Sequence, residues 1–298
     1  MLYLNVIMLE KQENSTKKPL VSIGLYVWNG AECIRAALDS LLAQTFKDFE
    51  LIISDNASTD DTQKICREYE RNDSRIRYIR QKENIGGYTN ADFVRHETRG
   101  QYFMWACHDD IWDKHFIKKC LEKFKEDQNA IGVFSRFLSD EPAGTIEIDP
   151  SKSFPFSKDL YQRLKSYLKF RVTDGKVFTI YSLWRSDVLT DFVDKAGYSD
   201  INWVFKQLFF GYLLLVDEIL FQRREATKYH EIVFKKNLTK FKIFLHIFTD
   251  RLISARGDFS RVHLKYIWRS RALTKTEKIK LSLWEGFAYL RGIWTGHY

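Results

Sequence analysis

Three short polar segments, at residues 55–62, 83–90 and 107–110, carry the side chains with which this chain could do chemistry. The third contains adjacent carboxylates, Asp109 and Asp110, which repel one another unless a cation or hydrogen-bond donors compensate. A hard divalent cation that also binds phosphate oxygens would compensate them. The second contains a Gly-Gly pair, which lets a backbone approach a ligand closely. Taken singly, each segment also fits a capped turn between a strand and a helix.

The chain around these segments alternates between apolar, β-rich runs and amphipathic helices. The predicted strands are Leu20–Val27, Phe49–Ser54, Ile76–Ile79 and Tyr102–Cys107, and the predicted helices between them are Glu32–Gln44, Asp60–Glu70 and Thr89–Arg99. Such alternation is typical of βαβ units in a parallel sheet. Each polar segment follows a strand, so all three are expected at the carboxyl edge of the sheet, where α/β folds bind ligands.

The pattern is less regular in the second half of the chain. Residues 140–158 contain three of the four prolines and show no periodicity, which predicts a long loop. Lys176–Trp184 and Tyr212–Leu220 are strand candidates, and Ile201–Phe210 is a helix candidate. Beyond Arg224 the chain reads as helical, without strand alternation.

Composition and charge narrow the class of protein. Of the 298 residues, 45% are hydrophobic and 15% aromatic, which excludes a wholly disordered chain. The formal net charge of +8 is uneven, because residues 225–298 carry 15 Lys/Arg and 6 Asp/Glu, whereas residues 1–224 carry 32 and 33. A basic C-terminal module of this kind suggests a membrane surface or nucleic acid as its partner.

The cysteines indicate a cytoplasmic protein. Cys33, Cys66, Cys107 and Cys120 lack CxxC and zinc-finger spacing, so they read as reduced thiols. No run reaches about 18 consecutive apolar residues, so a transmembrane helix is not expected. The N-terminal residues lack the basic start and the cleavage site of a secretory signal. The expected location is the cytoplasm, on the cytoplasmic face of the inner membrane if the basic module binds lipid.

Together, the ordered motifs resemble those of the family 2 glycosyltransferases. The matching segments are Pro19–Ile23 with Tyr26 and Asn29, Ser40–Thr45, Phe49–Ile53, Asp55–Asp60, Asn84–Gly86 and Tyr102–Asp110. The resemblance is strong over residues 19–125, continues more weakly to Arg224, and ends there. It implies an α/β fold of the GT-A type, with a mixed, mostly parallel sheet flanked by helices and a C-terminal helical extension.

The resemblance also implies an organisation of the chain. A catalytic domain at 19–224 would combine a nucleotide-sugar-binding half, 19–125, with an acceptor half, 126–224. A tail at 1–18 would precede it, and a basic amphipathic extension at 225–298 would follow.

The family's donor-binding residues can be carried over by position. The implied nucleotide-sugar-binding residues are Tyr26, Asn29, Asp55, Asn84, Gly86, His108, Asp109, Arg223 and Arg224. Tyr26 and Asp55 would hold the nucleotide base, and a carboxylate that accepts a ring N–H suits uracil or thymine, hence a UDP- or dTDP-sugar. Asp109 and Asp110 would bind Mg²⁺ or Mn²⁺. This chain departs from the family at Cys107, which stands where the first Asp of the metal motif is usual.

The implied catalytic base is Asp200. Family members place a carboxylate, often Glu-Asp, just before a late helix, and here Ser199 takes the place of the Glu. Asp200 would accept the proton of an acceptor hydroxyl in an inverting transfer to a glycan or lipid-linked glycan, in surface polysaccharide synthesis. The alternative role for Asp200 is to cap the helix that follows. Trp184 and Trp203 are candidates for stacking on a sugar, although core packing is the commoner role of such residues.

Two other functions stay open. A catalytically decayed GT-A-fold binding or scaffold protein would account for Cys107 and Ser199. A sugar nucleotidyltransferase would normally have a Gly-rich, basic phosphate loop after the first strand, and residues 26–30 read Tyr-Val-Trp-Asn-Gly instead.

The basic extension contains two amphipathic patterns. Phe234, Leu238, Phe241, Leu245, Phe248 and Leu252 form one apolar helical stripe flanked by lysines, and Lys275–Arg291 forms another. Such helices favour peripheral contact with an anionic membrane through residues 232–298. The alternatives are packing on the catalytic domain or pairing of two subunits in a homo-oligomer. Nucleic acid is not expected, because the chain contains no recognised nucleic-acid-binding module.

Overall fold

A computed structural model describes residues 18–141, 144–150, 156–169, 176–191, 200–224 and 256–295. The strands are β1 Val21–Val27, β2 Phe49–Asp55, β3 Ile76–Arg80, β4 Tyr102–Cys107, β5 Ile111–Trp112, β6 Gly132–Glu141, β7 Gly144–Ile148, β8 Leu183–Arg185 and β9 Leu213–Arg223. The α-helices are α1 Ile34–Leu42, α2 Thr62–Asn72, α3 Gly87–His96, α4 Phe116–Glu126, α5 Leu160–Lys169, α6 Asp200–Gln207, α7 Arg256–Arg269 and α8 Lys275–Thr295.

The described strands form one mixed sheet in the order β3-β2-β1-β4-β8-β6-β9-β5, with β7 paired to β6. Strands β1 to β4 are mutually parallel, whereas β8 runs antiparallel to both β4 and β6. The chain reaches β4 by crossing from β3 to the other side of β1, so the strand order reverses between β1 and β4. A crevice opens at the carboxyl ends of strands at such a reversal. The predicted α/β fold, with helices flanking a mixed sheet, is confirmed.

The core explains why the first four strands could be found from the sequence. All seven residues of β2 are buried, as are six of the seven in β1, because the sheet is covered on both faces. Helix α1 buries one stripe, at Ile34, Ala37, Leu38 and Leu41. The predicted strand and helix positions up to Cys107 agree with the structure within a few residues.

The predicted loop at 140–158 is wrong at its beginning, since β6 and β7 form a hairpin there. Strand β7 pairs only with β6 at the margin of the sheet, and four of its five residues are exposed. An exposed strand lacks the buried-exposed alternation by which a sequence reveals a strand. An ion pair between Arg136 of β6 and Glu147 of β7 joins the two strands of the hairpin.

The strand predicted at 176–184 is also wrong. Lys176–Tyr181 is a 3₁₀ helix, and the following strand, β8, contains only three residues. The Ser182 N–H donates to the Thr179 carbonyl at 3.2 Å, which turns the chain before β8. The run is apolar because it is buried, and a short buried run does not distinguish a strand from a helix.

The described part of the C-terminal extension packs on the body that carries the sheet. The His263 ring of α7 lies 4.0 Å from the Phe205 ring of α6, and the Lys169 ammonium lies 4.1 Å from the Trp284 ring of α8. His263 Nδ1 also lies 3.2 Å from Glu285 Oε2, which joins α7 to α8. The inner faces of α7 and α8 therefore pack on the part of the chain that carries the sheet, which is one of the alternatives to membrane binding given above. The stripe from Phe234 to Leu252 lies outside the described residues.

Exposed apolar side chains remain on the outer face of these two helices. Trp268, Ile279 and Leu283 are 48%, 45% and 58% exposed. None of the helices in the described ranges has the length and apolar character needed to cross a bilayer. Strand β9 ends at Arg223, and the division of the chain into domains at residue 224 stays a prediction.

Candidate active site

The site lies in the crevice between the carboxyl ends of β1 and β4. Tyr26 of β1 is directly opposite Cys107 of β4. The Tyr26 and Tyr181 hydroxyl groups are 3.4 Å apart, so the 3₁₀ helix that ends at Tyr181 borders the crevice. Burial raises the pKa of both tyrosines well above the ordinary value, so both hydroxyls stay protonated. The sequence carried no signal for Tyr181, since it lies in an apolar run.

Asn29 joins the loop after β1 to the loop after β2. Its backbone has φ 51°, in the left-handed region that asparagine tolerates better than most residues. The Asn29 N–H donates to Ser58 Oγ at 2.9 Å, and its Oδ1 accepts from the Thr59 N–H at 2.8 Å. Asn29, predicted to bind the donor, thus uses its side chain to hold the loops in place.

Asp55 is completely buried at the end of β2 and is surrounded by donors. Its Oδ1 accepts from the Ser58 N–H at 2.8 Å, and its Oδ2 accepts from the Tyr78 hydroxyl at 2.5 Å and from Arg80 Nη1 at 2.8 Å. Arg80 is the partly exposed member of this ion pair, with 30% of its side chain accessible. The sequence reasoning missed Arg80, because a single arginine at a strand end is not a motif.

Asn84 and Gly86 hold the third loop against the same edge. Asn84 Oδ1 accepts from Asn56 Nδ2 and from the Gly86 N–H, each at 2.9 Å. The Ile85 N–H donates to Asn56 Oδ1 at 2.8 Å. Gly86 has φ +86°, a conformation that favours glycine, and α3 begins at the next residue. The three loops thus form one hydrogen-bonded rim.

The end of β4 supplies the metal-binding candidates. One ligand atom from each of Cys107, His108 and Asp109 lies within 4.8 Å of the other two. Burial lowers the pKa of His108, so its ring is neutral and free to bind a metal at neutral pH. Burial and the neighbouring Asp109 and Asp110 raise the pKa of the Cys107 thiol well above its ordinary value, so a cation that binds there must displace the thiol proton. With Cys107 as the thiolate, these donors fit a divalent cation, and only one of them is a carboxylate.

Asp110, the next residue, is not among these three ligand candidates. It is buried, and its Oδ1 accepts from the Arg224 N–H at 3.0 Å. Burial, with a contribution from Asp109, raises the pKa of Asp110 well above the ordinary value. The metal-binding role predicted for Asp110 stays a prediction, while the structure gives Asp110 a hydrogen bond to the residue that follows β9.

The two arginines at the end of β9 lie in different surroundings. Arg224 Nε donates to the Asp109 carbonyl at 2.7 Å, and Arg224 Nη2 is a buried donor with no partner among the described residues. Arg223 Nη1 instead donates to the Asp140 carbonyl at 3.0 Å, and its guanidinium lies 5.6 Å from the Phe178 ring. Of the pair, Arg224 is the one at the metal-binding candidates.

Asp200 is the first residue of α6 and is partly buried. Burial raises the pKa of Asp200 to about 6. Burial also raises the pKa of Tyr88 to about 12, and the Asp200 charge adds to that rise and to the one at Tyr26. Asp200 therefore lies near the ends of β1 and α3, although the segment just before it is outside the described residues.

The two tryptophans that were candidates for sugar stacking belong to the core. Trp184 and Trp203 are fully buried, and their rings meet edge to face at 4.9 Å. Trp203 also contacts Trp105 of β4 at 4.8 Å, which seats α6 against the sheet. A sugar-stacking role for either one is wrong for this structure, because neither ring face is accessible.

Residues 22–186 match the family model described as Glycosyl transferase family 2. The match covers more than half of the chain. The chain belongs to glycosyl transferase family 2. The matched range contains the β1, β2 and β4 segments of the site but ends before Asp200 and Arg224.

Curated relatives resemble part of this family 2 chain. It is 36% identical over 128 residues to the chondroitin synthase of Escherichia coli, across 42% of the chain and 18% of that protein. It is 34% identical over 109 residues to the putative teichuronic acid biosynthesis glycosyltransferase TuaG of Bacillus subtilis, across 37% of the chain and 43% of TuaG. The chain thus matches less than half the length of these relatives.

Solved structures share the fold over nearly the whole chain. TarS residues 1–349 of S. aureus superpose with a TM-score of 0.59 at 15% identity, covering 95% of this chain and 93% of TarS. The mannosyltransferase PcManGT of Pyrobaculum calidifontis, in complex with GDP-Man and Mn²⁺, gives 0.51 at 14% identity, covering 94% and 88%. At these identities the likeness establishes the fold alone.

The raised pKa of Asp200 predicts a stability that depends on pH. The folded pKa of about 6 exceeds the ordinary 3.8, so the folded state binds the proton more tightly and loses stability as pH rises through 6. Asp200→Asn removes the buried charge, so we expect it to raise the free energy of unfolding by about 1–2 kcal/mol at alkaline pH, allowing for partial exposure.

Urea denaturation at pH values on either side of this range measures the effect. At acidic pH, below the ordinary Asp value, we expect no gain from Asp200→Asn. The matched control is Asp48→Asn, at an exposed site, for which the change should be small and equal at both pH values. A gain from Asp200→Asn that is the same at both pH values would contradict the assignment of a buried charge.

Proposed function

We propose that the chain is an inverting glycosyltransferase that transfers a sugar from a nucleotide diphosphate sugar, with UDP or dTDP favoured. The acceptor is a hydroxyl group of a glycan or lipid-linked glycan, in surface polysaccharide synthesis. The observation that carries the proposal is that Arg224 contacts the Asp109 carbonyl at the end of β4. A second guanidinium nitrogen of Arg224, Nη2, is buried and has no hydrogen-bond partner among the described residues. Asp200 lies near Tyr26 in the same crevice.

The donor's diphosphate suits these groups. A guanidinium N–H that has no other partner is matched to a phosphate oxygen, to which arginine binds with a strong, charge-assisted hydrogen bond. Asp109 would hold a divalent cation, which when bound neutralises charge on the departing diphosphate. The titles of two similar structures support this class of donor, since TarS was crystallised with UDP-GlcNAc and PcManGT with GDP-Man and Mn²⁺.

The nucleotide base would lie at the rim formed by the three loops. Asp55 is completely buried and accepts from three internal donors, so it would act on the base through Arg80, which it holds at the edge. Uracil and thymine both present two ring carbonyl groups, which accept hydrogen bonds from a guanidinium such as the partly exposed one of Arg80. This fits the UDP or dTDP donor that the family resemblance implies.

The transfer itself would proceed in one displacement. The acceptor hydroxyl oxygen attacks the anomeric carbon, and the bond from that carbon to the diphosphate oxygen breaks, so the configuration inverts. Asp200 accepts the hydroxyl proton, and Arg224 donates a hydrogen bond to the leaving diphosphate. A base with a pKa of about 6 is mostly ionised at neutral pH and still basic enough to take the proton.

Donor binding should depend on Arg224 far more than on Arg223. A hydrogen bond to a charged group contributes about 1.5–3 kcal/mol, so we expect Arg224→Ala to weaken UDP-sugar binding about 10- to 100-fold. Arg223→Ala is the matched control, because Arg223 donates to Asp140 instead, and its effect should stay below about 3-fold. Thermal-shift titration with UDP-, dTDP- and GDP-sugars measures both variants.

The same titration distinguishes the alternative functions. Equal losses in the two arginine variants would contradict the role of Arg224. The absence of a shift with every nucleotide would favour the decayed GT-A-fold binding protein.

Turnover should depend on Asp200 without a matching change in donor binding. General base catalysis contributes about 10²–10⁴-fold, so Asp200→Asn should lower transfer by at least about 100-fold while leaving the UDP dissociation constant unchanged. In the unaltered chain, kcat/KM should rise through one ionisation near pH 6 and then level off, because Asp200 must be charged. Unchanged turnover in the variant would remove Asp200 from this role.

We also propose that the outer face of the α7–α8 hairpin, made by Trp268, Ile279 and Leu283, binds an anionic membrane. These three side chains are about half exposed, and Trp268 Nε1 donates to Ser282 Oγ at 3.1 Å, which brings the two helices together beneath the face. The hairpin also carries the basic residues Lys265, Arg269, Arg271, Lys275, Lys278 and Lys280. Apolar side chains among lysines and arginines are complementary to anionic lipid.

Flotation of the full chain with vesicles tests this surface. With phosphatidylserine present, we expect the double variant Ile279→Glu/Leu283→Glu to float at least about 10-fold less, because it places two negative charges on the face that would enter the lipid. The control Ile146→Glu, which alters an exposed apolar residue on β7, should float like the unaltered chain. Equal flotation of the double variant would refute membrane binding, and a dimer that it dissociates would identify the face as a subunit interface.

A further inference from the structure

We infer that Cys107, His108 and Asp109 form a site for a borderline-soft divalent ion, Zn²⁺ or Co²⁺, in preference to Mg²⁺. Their thiol, imidazole and carboxylate ligand atoms all lie within 4.8 Å of one another. Thiolate and imidazole are characteristic ligands of zinc and cobalt, whereas magnesium requires oxygen ligands in octahedral geometry. The departure at Cys107 therefore changes the class of ion that the family position suits.

The separation of the first two ligands is close to what a zinc ion needs. Cys107 Sγ lies 3.9 Å from His108 Nδ1. Two ligands at tetrahedral angles, with Zn–S about 2.3 Å and Zn–N about 2.0 Å, are about 3.5 Å apart. A shift of a few tenths of an ångström in either side chain is enough to reach this spacing.

The backbone around these residues already restricts them. Cys107 ends β4 and is paired with Tyr26 across the sheet. The His108 ring packs on Gly30, where an added Cβ would come within 2.5 Å of His108 Cδ2. A larger residue at position 30 would displace the imidazole, so Gly30 positions the second ligand.

Three protein ligands also leave room for a substrate atom. Zinc sites that only stabilise a fold have four protein ligands, whereas sites that bind substrate have three and an open position. All three residues are half-buried at the crevice rather than enclosed in the core. Asp110 is outside the group of three, and its Oδ1 accepts from the Arg224 N–H. The three residues lie at the carboxyl end of β4, where the proposed function places the donor diphosphate.

Cobalt titration of the chelator-treated full chain tests the site without any nucleotide sugar. We expect a thiolate-to-cobalt absorption band that saturates at one equivalent, because Cys107 supplies sulfur. Zn²⁺ should abolish the band at stoichiometric concentration, and a thousandfold excess of Mg²⁺ should leave it unchanged. A chain that develops no such band, or loses it to Mg²⁺, would overturn the inference.

Two cysteine variants show which sulfur is bound. Cys107→Ser should remove the band and weaken zinc binding at least 10-fold. Cys33→Ser is the matched control, because Cys33 is also a partly exposed free thiol but is outside the group of three. Retention of the band in Cys107→Ser, or its loss in Cys33→Ser, would contradict the assignment.

A measurement on the unaltered chain tests the site even if the Cys107→Ser variant does not fold. Zn²⁺ should slow alkylation of Cys107 by iodoacetamide at least 10-fold, as followed by mass spectrometry of peptides, and leave Cys33 unaffected. Equal protection of both, or of neither, would count against the site.

The inference rests on the proposed function only for the use made of the ion, so the two can fail separately. A cobalt band that depends on Cys107 in a chain that transfers no sugar would leave the metal site standing and refute the transferase. Transfer supported by Mg²⁺ in a chain without a cobalt band would refute the metal site and leave the transferase standing.

Discussion

The contact between Arg224 and the loop after β4 is the interaction on which the site depends. Arg224 donates from its backbone to the Asp110 carboxylate and from its side chain to the Asp109 carbonyl. A buried carboxylate is costly unless donors compensate it, so Asp110 holds the end of β9 firmly. Strand β8, which pairs with both β4 and β6, joins the two halves of the sheet, and β5 pairs with β9. The Arg224 contact adds to this connection at the end of β9, beside the metal-binding candidates.

Most of the polar motif residues bind to one another. Asp55, Asn29, Asn56 and Asn84 direct their side chains to neighbouring loops, and the resulting rim holds a few other groups in place. Buried polar atoms require partners, so a loop built from them becomes rigid. The groups to which the proposed function assigns the ligand are fewer: Arg80, Arg224, Asp200 and the residues at the end of β4.

Asp200 shows how packing shifts a pKa. Helix α6 is held by Trp203, whose ring meets both Trp105 and Trp184 edge to face. The first residue of the helix is thereby brought to the crevice and partly desolvated, which raises its pKa. The same burial therefore lowers the stability of the fold at neutral pH.

The amino-acid sequence by itself determined the strands from Val21 to Cys107, the family, and the positions of Asp55, Asp109 and Asp200 as polar residues beside strands or helices. Those features are local, since periodicity and turn residues act within a few positions of the chain. Only the tertiary structure decided that β6 and β7 form a hairpin, that Arg80 pairs with Asp55, and that Arg224 rather than Arg223 reaches Asp109. These outcomes depend on which strands become neighbours and on which face each side chain lies. Such contacts join residues far apart in the chain, and no local pattern encodes them.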